Sequence, residues 1–126
     1  MRKLTINSTA VFALVAITAL SLVQFASART EPQAHASATA ISVSGKEFSF
    51  KLSKKSLARP GTATFTFKNA GHMLHDFKIN GKKTPLISPG QTARLVITFK
   101  KKAKYPYLCT VFGHAAAGMK GVFTVR

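Results

Sequence analysis

From residue 41 onward, apolar and polar positions alternate with period two, and no segment sustains an apolar stripe at the helical period. Successive side chains of a strand face opposite sides, so each such run has one face to bury. Phe48, Phe50 and Leu52 alternate with Glu47, Ser49 and Lys51, and Phe65 and Phe67 alternate with Thr64, Thr66 and Lys68. Leu95, Ile97 and Phe99 alternate with Arg94, Val96 and Thr98, and Phe123 and Val125 share a face near the end. Arg59-Pro60-Gly61, Asn69-Ala70-Gly71, Asn80-Gly81 and Ser88-Pro89-Gly90 supply turns between the runs. Short strands at this spacing predict an all-β domain, a sandwich or barrel. There is no internal repeat, and ten phenylalanines without a tryptophan suffice for a small aromatic core.

The N-terminal third is patterned differently. Arg2 and Lys3 precede an apolar stretch from Val11 to Val23, and Ala26-Ser27-Ala28 follows as a small-x-small cleavage pattern. Residues 1–28 therefore read as a secretory signal, which implies export to the periplasm, the extracellular space or the cell envelope. An uncleaved anchor is the competing reading, but the stretch falls short of the roughly 20 apolar residues that span a bilayer. Residues 29–40 are small, polar and aperiodic, a flexible leader in which His35 stands alone. The folded part is 41–126.

The whole chain has 126 residues, enough for one modest domain, and a formal net charge of +16. Loss of residues 1–28 removes Arg2 and Lys3 and no acid, leaving 17 cations against three acids, or +14. Nucleic acid is excluded as a partner by export and by the lack of a recognition motif. What remains is steering toward an acidic partner protein, attraction to an anionic membrane surface, or solubility. The run Lys100-Lys101-Lys102-Ala103-Lys104 reads as a solvated turn between strands.

Cys109 is the one cysteine. It has no partner for an internal disulfide, and an exposed thiol is a liability in an oxidising compartment. Period two along Tyr105, Tyr107 and Cys109 points the thiol inward at a strand's end. His114 and Met119 follow in a loop that Gly113 and Gly118 allow to turn tightly. A thiolate and a thioether are soft donors, and with imidazoles they suit copper in a His₂Cys trigonal site with a weak axial Met. His75, which shares a face with Phe77 and Ile79, is the candidate second histidine. By the same alternation His72 faces the other way, and Met73 reads as packing.

Asn-x-Gly-x-x-x-His at 69–75 and Cys-x₄-His-x₄-Met at 109–119, followed by a last strand, resemble the cupredoxin family of plastocyanin, azurin, auracyanin and rusticyanin. The resemblance spans residues 41–126. It implies a Greek-key β-sandwich with one copper ion near one end, His75, Cys109 and His114 as equatorial ligands and Met119 as the axial one. Phe112 stands where members with a loop of this length often have proline. Val111 keeps an N–H that can bond the copper-bound sulfur. Asp76 replaces a common asparagine, and can still accept backbone hydrogen bonds and tie the two ligand loops together, while its charge favours Cu(II).

Other chemistry fits poorly. Covalent haem needs Cys-x-x-Cys-His, structural zinc needs more thiolates or imidazoles, and a cysteine hydrolase needs an exposed thiol beside a base. The expected function is single-electron shuttling between redox partners through a Cu(II)/Cu(I) centre, without enzyme activity. The protein is expected to be monomeric and its partners to be acidic, of cytochrome or oxidase type. The alternative is an exported copper carrier or scavenger using the same four ligands.

Overall fold

The computed structural model describes residues 37–126. The secretory signal expected at 1–28 lies outside the described residues, as does most of the expected leader. Nine strands follow: β1 (Thr39–Lys46), β2 (Ser49–Leu52), β3 (Ser56–Leu57), β4 (Gly61–Asn69), β5 (Lys78–Ile79), β6 (Lys82–Lys83), β7 (Thr92–Phe99), β8 (Ala103–Leu108) and β9 (Lys120–Val125). Thr39 and Ala40, placed by sequence in the leader, already belong to β1. The described residues contain no helix.

One sheet has the order β2-β1-β4-β7 and the other β3-β9-β8-β5-β6. Adjacent strands are antiparallel except β1 with β4 and β3 with β9. The alternation read from sequence is the burial pattern: Phe65, Phe67, Leu95, Ile97, Phe99, Phe123 and Val125 are buried, while Thr66, Lys68, Arg94, Val96 and Thr98 are exposed. The two inner faces meet through aromatic rings. Phe65 of β4 contacts Phe77 and Phe123 at ring separations of 5.4 and 5.5 Å, and Phe77 also packs against Tyr107 of β8 at 5.5 Å. Each fully buried phenylalanine contributes roughly 1.5–3 kcal/mol, so this cluster is the main cohesive element between the sheets.

Asn80 and Gly81 both adopt positive φ, 49° and 73°, in the two-residue turn that joins β5 to β6. Lys100 to Lys102 form the exposed turn between β7 and β8, shorter than the run to Lys104 that the sequence predicts, since Ala103 and Lys104 belong to β8. At the opposite end of the sandwich β1, β4 and β8 finish and β9 begins, so the segments after Lys46, Asn69 and Leu108 converge there.

Candidate metal centre

His75 and Cys109 owe their direction to the aromatic core. Phe77 and Tyr107, two residues away from each, are buried in the sandwich, and period two carries the imidazole and thiol onto the same inner side. His75 does not lie in a continuous strand. It forms an isolated bridge with Ile87, its N–H donating to Ile87 O at 3.2 Å and Ile87 N–H returning to His75 O at 2.9 Å. Asn69 fastens this loop from inside: its Nδ2 donates to Met73 O and Ile87 O, and its Oδ1 accepts from Gly71 N–H.

The second loop leaves β8 at Cys109 and returns at β9. Gly113 (φ 80°) and Gly118 (φ 117°) take the positive φ that closes it. Met119 N–H donates to His114 O at 2.9 Å and Cys109 N–H donates to Met119 O at 3.0 Å, so the backbone of Met119 ties the two ends together. Its side chain is wholly buried, with Cε beside Gly45, where an added Cβ would lie 3.1 Å from it and 2.7 Å from the Phe67 ring.

The loops bring His75, Cys109 and His114 together, all buried, with one donor atom from each within 4.8 Å of the others. The sides of the triangle are 3.1 Å between the two Nδ1 atoms, 3.9 Å from Sγ to His75 Nδ1 and 3.7 Å from Sγ to His114 Nδ1. Its equidistant point lies about 2.1 Å from each corner, close to the bond lengths of a first-row metal to imidazole nitrogen and thiolate sulfur. Two imidazoles, one thiol and a neighbouring buried thioether are a donor set selective for copper over harder metals. The residues fit a type 1 copper site that holds one ion.

The protonation of these groups follows from their surroundings. Burial pushes the Cys109 thiol up, against the pull of backbone N–H groups of Asp76 and Val111 on the sulfur. Burial and then repulsion from His75 hold His114 below the usual histidine range, which leaves its lone pair free for a metal. Copper must therefore displace the Cys109 proton, and uptake at neutral pH is expected to release about one proton per ion and to tighten as pH rises. Copper titration in a weakly buffered indicator solution measures this; pH-independent uptake without proton release would show that the thiol is not displaced.

Asp76, fully buried, joins the two ligand loops as the sequence suggested. Its Oδ1 accepts from Thr110 N–H at 2.6 Å, its Oδ2 accepts from the Thr110 hydroxyl, and Lys83 Nζ lies 3.4 Å from Oδ2. His72 is exposed, as expected from its register. Met73 is also half exposed, so it is not the packing residue the sequence reading made it.

Two contributors were not found by sequence. Glu47, after β1, accepts His75 Nε2–H at 3.0 Å and the N–H groups of His72 and Met73 at 2.8 Å, all on Oε1. The Met73 N–H foremost, then Glu47's own N–H and, more weakly, the His72 and His75 donors lower its carboxyl to about 2, against the opposing effect of burial. Phe48 leaves the strand pattern and sets its ring edge-on to His114, 5.0 Å away. Among the described residues no buried side-chain nitrogen or oxygen lacks a partner, and His114 Nε2 has no hydrogen bond, so it is where the ring edge meets solvent. Exposed Phe48, Met73, Leu74, Leu86 and Phe112 stand on the loops at this end.

A family model for copper binding proteins of the plastocyanin/azurin family matches residues 41–126. Among solved structures, the chain is similar to dithionite-reduced auracyanin of Roseiflexus castenholzii, with 24% identity and a TM-score of 0.63 over 71% of this chain and 98% of that one. Auracyanin A of Chloroflexus aurantiacus, a blue copper protein, shows 21% identity and a TM-score of 0.59 over 71% and 100%. The copper-containing nitrite reductase of Thermus scotoductus SA-01 shows 18% identity and a TM-score of 0.58, with 71% of this chain covering 28% of that one. No individual curated protein matches in sequence.

Proposed function

The chain belongs to the plastocyanin/azurin family of copper-binding proteins, and from that premise we propose that it is an exported blue copper protein that carries single electrons between redox partners. His75, Cys109 and His114, with the buried thioether of Met119 beside them, would hold the ion. The observation that carries this reading is the buried donor triangle, already assembled from two loops. When bound, copper supplies a one-electron Cu(II)/Cu(I) couple. The chain's own residues already stand in place and are buried, so little reorganisation accompanies transfer.

A donor set whose coordination positions are filled by protein side chains leaves no place for a substrate, which supports a carrier and not an enzyme. The exposed apolar residues around His114, with Phe112, Ala115, Ala116 and Ala117 on its own loop, supply a docking surface. The lysines supply long-range attraction to an acidic partner protein or an anionic surface.

Copper-loaded protein is expected to show an intense visible thiolate-to-copper band and to cycle reversibly between two oxidation states without losing the ion. Colourless loaded protein would sink the reading, and release of copper on each reduction would favour the carrier or scavenger. Stopped-flow rates with acidic and neutral cytochromes test the port. Salt should slow exchange with the acidic partner, because screening shortens to about 8 Å at physiological ionic strength. Ala116→Glu should slow it about tenfold even at high salt, where loss of apolar contact and not of steering is read. If Ala116→Glu leaves high-salt rates unchanged while Lys100→Glu and Lys101→Glu reduce them, the basic face is the contact surface.

A further inference from the structure

We propose that Glu47 is a positioning residue of the copper centre: its carboxylate fixes the His75 ring through Nε2–H and its charge biases the centre toward Cu(II). The inference rests on the reading of His75 as a ligand.

The placement of Glu47 is built in. One oxygen, Oε1, gathers three N–H groups, those of His75 Nε2, His72 and Met73. Gly71 leaves room for the carboxylate, since a Cβ there would collide with both of its oxygens. Of the 19 Lys+Arg residues only Arg2, Lys3 and Arg29 precede residue 37, so the described domain is crowded with cations. An ordinary surface glutamate in such a domain would pair with lysine. Glu47 instead has only histidines as ionisable partners among the described residues. The other described acid, Asp76, also faces a ligand loop. Both carboxylates of the domain are thus spent on the metal centre.

The chemistry follows from what a carboxylate does that a neutral acceptor does not. By holding the proton on Nε2 it aims the Nδ1 lone pair toward Cys109 and His114 and fixes the tautomer. By drawing that proton it raises the electron density and donor strength of the ring. Its negative charge, 3.0 Å from the imidazole, stabilises the doubly charged ion more than the singly charged one.

Glu47→Gln separates charge from geometry, because the amide oxygen can accept from the same three donors. The blue band should remain. Cu(II) affinity should fall about 10- to 100-fold, with a smaller loss for Cu(I), and each tenfold difference raises the midpoint potential by about 59 mV. Potential and Cu(II) affinity equal to the unsubstituted protein would overturn the proposal, as would a drop in thermal stability of the metal-free form as the sole effect. A measurement independent of any variant is the ring ¹⁵N spectrum of the metal-free and Cu(I)-loaded chain. His75 Nε2 should be protonated and exchange more slowly than the ring N–H of exposed His72. An unprotonated or fast-exchanging Nε2 overturns the proposal. If the unsubstituted protein gives no thiolate band, the blue copper reading fails, and the metal-free spectrum still tests the Glu47–His75 bond.

Discussion

Cys109→Ser is expected to abolish the visible band of the copper-loaded protein completely while leaving the fold in place. The band comes from charge transfer out of a thiolate, and a serine oxygen is a harder donor that stays protonated at neutral pH, so it neither supplies the transition nor holds copper as tightly. The substitution changes little else. Sγ is buried and already receives backbone N–H groups of Asp76 and Val111, and a hydroxyl at the same place has both as donors. A satisfied buried hydroxyl costs about 1 kcal/mol or less, so circular dichroism and the thermal midpoint of the metal-free form should barely move. A serine variant as blue as the parent would remove Cys109 from the site and the centre with it.

What the sequence made legible was everything governed by period two. The same alternation that buries Phe65, Phe67, Ile97 and Phe123 also points His75 and Cys109 inward, because Phe77 and Tyr107 lie two residues from them. Turn chemistry located the loop closures at Gly113 and Gly118. The candidate ligands were therefore readable from spacing within two short segments, and the fold brings His75, Cys109 and His114 together.

The alternation failed where the chain leaves its strands to cover the site. It put Phe48 in line with Phe50 and Leu52 on an inner face and Glu47 outside. The connection from β1 to β2 instead turns both side chains onto the metal end, Phe48 over His114 and Glu47 under His75. Nothing local to residues 47 and 48 signals this, since their partners lie 25 or more positions away. Gly71 was the one available clue: a glycine before two exposed residues marks a close approach, but the sequence does not say of what. The run from His75 to Ile79 is likewise not one strand. Asp76 turns inward to Thr110 and Phe77 N–H bonds the Thr84 hydroxyl, leaving β5 only Lys78 and Ile79.

Asp76→Ala should damage both the fold and the centre. The carboxylate is the acceptor for Thr110 N–H and the Thr110 hydroxyl, one residue beyond Cys109, and it is itself one residue beyond His75. Hydrogen bonds to a charged acceptor contribute about 1.5–3 kcal/mol each, and Thr110 is reached by solvent once they are lost. A net loss of about 2–4 kcal/mol is therefore expected in chemical denaturation of the metal-free protein. The Lys83 contact adds little of this, because its side chain is 55% exposed. Asp76→Asn separates the two roles: its carbonyl keeps the bond from Thr110 N–H, so most of the stability returns, but the negative charge beside the ligand loops is gone. The midpoint potential should then rise, by about 59 mV if Cu(II) loses tenfold in affinity relative to Cu(I). Lys83→Met should move it the opposite way, because the Asp76 charge is left unopposed. If Asp76→Asn and Lys83→Met shift the potential in the same direction, the carboxylate acts on the centre only through loop geometry and not through its charge.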